Sequence, residues 1–517
     1  KSGIIGHQRL EEKRMRAQNT RDASQSIPLV EALFSGTASN GGLWVPETFP
    51  HFSLLRAKGD RPRFLDIGPD ILRTFLPEAP MEWLSELFEG LYPTRFDHPE
   101  ITPLLECGGS AGRARTYFLE LFHGPTLAFK DLALTLLPHF MRYALRVSGK
   151  TGRLLVLTAT SGDTGKAALS AFQSIPDIQI FVLYPEGGIS SIQRAMMLEE
   201  QATNTRVFAL KGDFDDAQRL VKSLMNDLEW REELHRQGIA LSTANSINLG
   251  RILVQVIYYF SSYQDLVDRG TIKLGDRVNY CVPTGNFGNI LAGYYAYRMG
   301  LPIGRLVCAS NRNRILNDFF RTGVYDLTAH SPLVKTLSPS MDILVSSNLE
   351  RWIFEVLDRE GEKTAELMTS LTRCGRFSID VSTKKDGDLF FSATCNDLES
   401  LETIRETFRD GALLIDPHTA VAVYALGQYR KATGDDTPCV VHSTASPFKF
   451  PEAMLRALQR DTGSVDDHTR LDLLSEISGR PLPEAVRRLR SVRGREPESG
   501  NFEEIRQRLR RYAFEGW

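Results

Sequence analysis

The feature of this chain that most constrains its fold is a strand–loop–helix pattern that recurs along its length. An apolar, β-rich run, RLLVLTAT at residues 153–160, is followed by the glycine-containing loop SGDTG and then by the helix-like KAALSAFQ. Related patterns begin at residues 178, 205, 278 and 438. Repeated alternation of this kind predicts an α/β fold with parallel sheets covered by helices on both faces. Ligands of such folds bind beyond the carboxyl ends of the strands.

The length of the chain and shifts in its composition predict how it divides into domains. At about 150 residues per domain, 517 residues suggest roughly three domains. The arginine-rich tail interleaves its charges with acids and apolar residues, which favours a solvated helix face packed on the body over a nucleic-acid site. The predicted division is a mostly helical N-terminal domain (1–103, with 1–14 as a candidate leader), a large α/β domain (104–150 and 250–465), a small mobile α/β domain (151–249) and a C-terminal helical extension (466–517).

The overall composition argues against nucleic acid, membranes and structural metal ions as partners of this protein. Lys and Arg total 62 against 64 Asp and Glu, a net charge of −2, so the overall field favours neither nucleic acid nor an anionic membrane. No apolar run approaches the ~20 residues that span a bilayer. The six cysteines form no C-x-x-C pair, which indicates a reducing compartment and no structural metal. We therefore expect a cytoplasmic protein without nucleic-acid, membrane or metal partners.

One lysine stands in an unusual context. The segment at residues 117–131, YFLELFHGPTLAFKD, is an apolar run that ends in a Gly-Pro turn and then presents Lys130. Most lysines are solvated surface charges, but Lys130 is flanked by apolar residues such as Phe129 and Leu132. Desolvation favours the neutral, nucleophilic amine, and such an amine can form a Schiff base with an aldehyde cofactor.

The loop TGNFGN at residues 284–289 follows a predicted strand and precedes a predicted helix. Its backbone N–H groups can converge on a phosphate, because glycines allow close approach and the helix N-terminus adds positive potential. A tight turn alone would also explain the two glycines. The loop has neither the Lys-Ser/Thr of a P-loop nor the spacing of a dinucleotide fingerprint.

Two further loops combine polar side chains with the start of a helix. SGDTG can bind a substrate carboxylate through backbone donors, or Ser161 or Asp163 can simply cap the helix. ANSINLGR, at residues 244–251, presents Asn and Ser side chains together with Arg251, a set matched to a phosphate ester. Its alternative is a helix cap with a surface arginine.

Seven motifs together resemble those of threonine synthases. FHGPTLAFKD, SGDTG, ANSINLGR, VPTGNFGN, SPSMDI, IDPHTAV and STASPFKF occur in the order found in that family, within a match from about Glu31 to about Met454. The resemblance implies a fold-type II pyridoxal-phosphate enzyme, similar to the tryptophan synthase β subunit, with two parallel-sheet α/β domains and a helical N-terminal domain. It also implies pyridoxal 5′-phosphate as the cofactor.

The resemblance further implies the roles of individual residues. Lys130 is the expected Schiff-base lysine, and Thr444, rather than its neighbour Ser443, is expected to face the pyridine nitrogen, where a neutral hydroxyl leaves that nitrogen largely unprotonated. The implied cofactor contacts are Phe129, Lys130, Asp163, Gly285, Asn286, Phe287, Gly288, Asn289 and Thr444. The implied substrate contacts are Ser161, Thr164, Asn245, Ser246, Asn248 and Arg251.

The activity that the resemblance implies is conversion of O-phospho-L-homoserine and water to L-threonine and phosphate, by γ-elimination and then β-addition of water. Three alternatives remain open. A phospholyase would take the same intermediate to 2-oxobutyrate, and a catalytically inactive paralogue would only bind. A β-replacing synthase would use another amino acid, although the phosphate cluster argues against it. The expected partner is the small-molecule substrate, with the chain as a monomer or homodimer.

Overall fold

The computed structural model describes residues 14–53, 64–106, 115–150, 152–160, 162–187, 191–199, 202–212, 214–381, 386–460, 463–491 and 497–515. Ser161 and residues 1–13 of the candidate leader lie outside these ranges. The strands are β1 (Arg16–Asn19), β2 (Asp22–Pro28), β3 (Trp44–Pro46), β4 (Leu104–Glu106), β5 (Thr116–Glu120), β6 (Arg153–Ala159), β7 (Ile178–Pro185), β8 (Thr205–Leu210), β9 (Ile239–Thr243), β10 (Val278–Pro283), β11 (Ile303–Ser310), β12 (Val324–Asp326), β13 (Arg376–Ser378), β14 (Phe390–Thr394), β15 (Cys439–Ser443) and β16 (Glu498–Gly500).

Helices connect most of these strands. They are α1 (Leu29–Ser35), α2 (Phe64–Phe75), α3 (Met81–Arg95), α4 (Lys130–Val147), α5 (Asp163–Phe172), α6 (Ser191–Glu199), α7 (Phe214–Met225), α8 (Leu228–Arg236), α9 (Leu249–Asp268), α10 (Gly288–Arg298), α11 (Ile315–Thr322), α12 (Leu349–Val356), α13 (Gly361–Cys374), α14 (Asp397–Gly411), α15 (Pro417–Thr433), α16 (Pro451–Ala457), α17 (Asp467–Ser478), α18 (Glu484–Arg488) and α19 (Phe502–Tyr512). Over the described ranges, no helix combines the length and apolar character that a membrane crossing requires.

The large sheet has the strand order β14-β11-β10-β15-β5-β4. Its strands run parallel except β4, which pairs antiparallel with β5. Strands β10 and β15 are buried on both faces, as their nearly continuous apolar sequences require. Because β10, β15 and β5 are adjacent and parallel, the loops that follow them emerge at the same edge. Those loops carry the TGNFGN segment, Thr444 and Lys130.

The small sheet has the order β16-β8-β7-β6-β9, and all its pairs are parallel. The SGDTG loop follows β6 and the ANSINLGR segment follows β9, so these two motifs also emerge at one edge. Strand β16 comes from the C-terminal segment, which was predicted to be helical only. Ile505 and Leu509 of α19 pack into the core of this sheet, and the C-terminal segment therefore completes the small sheet.

The N-terminal segment contains helices α1 to α3, as predicted, and also an antiparallel sheet of order β2-β1-β3 that was not predicted. Strands β1 and β2 read RAQN and DASQSIP. Their polar composition gives no alternation of apolar and polar residues, so hydrophobic periodicity could not reveal them.

Candidate active site

A central cavity of about 580 Å³ collects residues from both sheets. Its wall includes most of the residues that the sequence predicted for the site, but Asn248 and Asp163 do not line it. The predicted residues that line it are Phe129, Lys130, Thr164, Asn245, Ser246, Arg251, Gly285, Asn286, Phe287, Gly288, Asn289 and Thr444.

Lys130 is the first residue of α4 and is held by its neighbours in the chain. The backbone N–H of Phe129 donates to the carbonyl oxygen of Thr444 at 2.9 Å, and Ala128 forms an isolated bridge with Ala445. These contacts fix the segment before Lys130 against the end of β15. The Lys130 side chain is 13% exposed, and burial lowers its pKa from the usual value, as expected for a lysine that acts as a neutral amine.

The loop between β10 and α10 has the geometry of an anion-binding site. Phe287 is left-handed, with φ 62°, and its buried ring stacks against Phe320 and Phe390. A Cβ at Gly285 would lie 2.9 Å from the carbonyl oxygen of Ser340, so only glycine fits there without displacement. The first N–H groups of α10 lack helical partners and add to the positive potential of the helix end. The loop therefore fits the phosphate of pyridoxal phosphate.

A buried network orients the side chain of Asn289. Its Oδ1 accepts hydrogen bonds from Tyr258 Oη at 2.8 Å and from His442 Nδ1 at 3.0 Å. His442 therefore carries its proton on Nδ1, and burial lowers the pKa of its ring to about 3. These donors leave the other side of the amide, Nδ2, buried and without a hydrogen-bond partner among the described residues. The buried neighbours therefore hold the Asn289 side chain in one orientation at the start of α10.

Thr444 lies one residue beyond β15 and lines the cavity, whereas Ser443 does not. The hydroxyl of Ser443 is buried and has no hydrogen-bond partner in the described part of the chain. The structure therefore places Thr444, and not Ser443, on the cavity wall.

Arg251 lies on the cavity wall and is almost fully buried, which excludes the surface arginine of the alternative interpretation. Arg251 is 2% exposed, and its Nη1 donates to the carbonyl oxygen of Ala244 at 3.0 Å. Among the described residues, Nε has no hydrogen-bond partner, and no carboxylate forms an ion pair with this guanidinium. Burial lowers its pKa to about 10. A buried cation of this kind is expensive unless an anion joins it.

Asn248 has a structural role in place of the predicted substrate contact. It is the N-cap of α9, with Oδ1 accepting from the N–H of Gly250 at 2.9 Å. Its Nδ2 donates to the carbonyl oxygens of Leu33 and Thr243. The residue is fully buried, and these bonds use its amide on both sides, so the helix-cap interpretation is correct for Asn248.

The SGDTG loop is shaped by Thr160, whose Oγ1 accepts from the N–H groups of Gly162 and Gly165, both at 2.9 Å. Asp163 begins α5, but its carboxylate does not cap the helix. Instead, Oδ1 lies 2.5 Å from Lys449 Nζ, and Oδ2 lies 3.4 Å from Lys130 Nζ. Asp163 therefore acts on the site through these lysines.

Several residues of the site were not singled out by the sequence analysis. Ser340 donates its hydroxyl to Asp163 Oδ2 at 2.7 Å. His418 lines the cavity, bonds through Nδ1 to Asp416 at 2.6 Å and accepts the N–H of Ser340 at Nε2. Ser340, His418 and Lys449 lie within SPSMDI, IDPHTAV and STASPFKF, so the motifs were recognised but the individual side chains were not.

The N-terminal segment also reaches the cavity. Arg21 lines it and forms an ion pair with the buried Glu350 at 2.8 Å. Glu350 also accepts the hydroxyl of Thr20 at 2.6 Å. Unlike Arg251, Arg21 therefore has its charge compensated within the protein.

Comparisons with known proteins identify the family of this chain. A family model described as pyridoxal-phosphate dependent enzyme matches residues 96–383. Models described as threonine synthase N terminus and threonine synthase, C-terminal, match residues 18–92 and 419–495.

Individual relatives cover most of the chain. Threonine synthase-like 1 of Macaca fascicularis is 38% identical over 468 residues, 88% of this chain, and the match spans only 61% of that relative's length. Threonine synthase of Pseudomonas aeruginosa is 37% identical over 449 residues, 86% of this chain and 90% of that protein. The crystal structure of PLP-bound threonine synthase from Brucella melitensis is 33% identical, with a TM-score of 0.81, and the match covers 97% of this chain and 100% of that one. The chain therefore belongs to the threonine synthase family of pyridoxal-phosphate dependent enzymes.

Proposed function

We propose that the protein is a threonine synthase, a lyase that converts O-phospho-L-homoserine and water to L-threonine and phosphate. The observation that carries this proposal is Arg251, a buried guanidinium without a carboxylate partner in the described residues, on the wall of the cavity that contains Lys130. A substrate that brings its own phosphate dianion would compensate this charge.

Each of the main residues of the cavity has a separate role in the proposed reaction. When bound, pyridoxal phosphate supplies an electron-withdrawing ring that eases proton loss from the carbons near the substrate's amino group. Lys130, beside that position, would hold the cofactor and then carry protons to and from Cα, Cβ and Cγ. Arg251 would bind the substrate phosphate and stabilise its charge as it leaves. Thr444 would offer its hydroxyl to the ring nitrogen, and the loop 284–289 would hold the cofactor phosphate.

The SGDTG and ANSINLGR loops would complete the substrate site. Thr164 and Ser246 lie on the cavity wall with partly exposed side chains. Asn245 also lines the cavity, but its Oδ1 accepts the N–H of Ala159 at 3.2 Å, which joins the carboxyl ends of β9 and β6. We therefore assign Asn245 to shaping the wall and Thr164 and Ser246 to direct contact with the substrate.

A product assay tests the proposal. Purified protein loaded with pyridoxal phosphate is given O-phospho-L-homoserine, and phosphate, threonine and 2-oxobutyrate are measured together. We expect threonine and phosphate in equal amounts, and no product from Lys130→Ala. Phosphate with an equal amount of 2-oxobutyrate would identify a phospholyase instead, and no turnover of a correctly loaded protein would indicate a paralogue that only binds.

A further inference from the structure

A buried lysine outside the cavity wall is coupled to Lys130 through a shared carboxylate. Lys449 follows β15, in a short 3-10 turn at Pro447–Lys449, and its side chain is 1% exposed. Its Nζ lies 2.5 Å from Asp163 Oδ1. Burying an ammonium group is costly unless a charge pairs with it, so this contact is needed to keep Lys449 inside the protein.

Asp163 is contacted by both lysines, but unequally. Lys449 lies close to Oδ1, whereas Lys130 lies 3.4 Å from Oδ2. The remaining capacity of the carboxylate is taken by Ser340 Oγ at 2.7 Å and Gln193 Nε2 at 3.1 Å. Burial alone would raise the pKa of Asp163, but the Lys449 and Lys130 ammonium groups hold it well below its usual value. Asp163 is therefore a fixed anion whose main counter-ion is Lys449.

This arrangement matters because a lone carboxylate beside Lys130 would oppose the function proposed for that lysine. A carboxylate within about 4–6 Å favours the protonated amine, whereas Lys130 must give up its proton to act as a nucleophile or base. Burial lowers the pKa of Lys130, Asp163 raises it, and the charges of Lys449 and Arg251 lower it again. Lys449 also acts on Asp131, whose carboxylate accepts hydrogen bonds from the N–H and the hydroxyl of Thr126.

We propose that Lys449 is a positioning residue that occupies the carboxylate of Asp163 and thereby leaves the nitrogen of Lys130 free to lose its proton. This inference rests on the proposed role of Lys130 as the cofactor-bearing lysine. Asp163 begins α5, which follows β6 of the small sheet, while Lys449 and Lys130 come from segments that follow strands of the large sheet. Lys449 therefore also holds Asp163, at the start of α5, close to Lys130.

The test is a spectrophotometric pH titration of the protein loaded with pyridoxal phosphate, without substrate. The visible absorption of the bound cofactor reports the proton on the Lys130 nitrogen. In Lys449→Met, which keeps much of the volume but removes the charge, we expect the midpoint to rise by roughly one to three pH units, because Asp163 then acts on Lys130 alone. Lys449→Arg keeps the charge and should retain a midpoint near that of the wild type.

The Asp163→Asn variant should shift the midpoint of the same titration in the opposite direction. Removing the carboxylate leaves Lys449 and Arg251 as the charges near Lys130, so the midpoint should fall, and Lys449→Met combined with Asp163→Asn should lie close to the wild type. The Asp163→Asn titration also tests the proposal if Lys449→Met cannot hold the cofactor. A midpoint that does not rise in Lys449→Met, equal shifts in the Met and Arg variants, or no fall in Asp163→Asn would overturn the proposal. Because no substrate is present, failure of the threonine synthase assignment would leave these midpoints unchanged.

Discussion

Arg251 differs from the other arginines of the cavity in that it is buried without a carboxylate partner in the described residues, whereas Arg21 and Arg219 each have one. Its guanidinium fork suits a dianionic phosphate, and the point charge of lysine does not reproduce that geometry. We expect Arg251→Lys to lower kcat/KM for O-phospho-L-homoserine by at least about tenfold, or ~1.4 kcal/mol, with an unchanged cofactor spectrum. Arg219→Lys, at an exposed position, is the control and should change little. Equal kinetics for Arg251→Lys and the wild type would refute the phosphate role.

Thr444 and Ser443 form a matched pair of hydroxyl residues at the end of β15. Thr444 lines the cavity, and Ser443 points into a buried region. Thr444→Val keeps the shape of the side chain but removes the hydroxyl that we propose to face the cofactor ring. We therefore expect it to retain bound cofactor and lose much of its turnover, while Ser443→Ala is milder. Cofactor content and kcat measured on both variants check this order, and the reverse order would contradict it.

At the scale of single elements, Asn248 at the N-terminus of α9 is the residue at which a helix-capping role can be distinguished from contact with the substrate. Asn248 satisfies the N–H of Gly250 and two buried carbonyl oxygens. We expect Asn248→Ala to lower the free energy of unfolding by about 1–3 kcal/mol, measured by urea denaturation, without raising KM for the substrate. A raised KM at unchanged stability would return Asn248 to the substrate site.

The predictability of each element from the sequence depends on how it is buried. Strand β6 was predicted almost to the residue, because a strand buried on both faces is a continuous apolar run bounded by turns. Strand β1 was missed because its polar residues carry no periodic signal. Asn248 was misassigned since the same side-chain chemistry serves a helix cap and a phosphate. Lys449 was missed because a lysine in a motif gives no sequence signal of the buried partner that the fold supplies, here Asp163.

At the scale of the whole molecule, the two sheets meet at the central cavity, and the C-terminal segment contributes to both halves. Leu471, Leu474 and Val486 pack with the large sheet's core, whereas Ile505 and Leu509 pack with that of the small sheet. The division into domains, the cytoplasmic location and the monomer or homodimer state stay predictions. Light scattering coupled to size-exclusion chromatography would determine the oligomeric state.

The central claim is that this cavity breaks the Cγ–O bond of O-phospho-L-homoserine and then adds water at Cβ. The most direct test is the reaction in ¹⁸O-labelled water, with both products analysed by mass spectrometry. The account predicts one ¹⁸O atom in the hydroxyl group of threonine and none in the phosphate, because the phosphate leaves with its original bridging oxygen. Label in the phosphate would show that water attacks phosphorus, and that result would contradict the account.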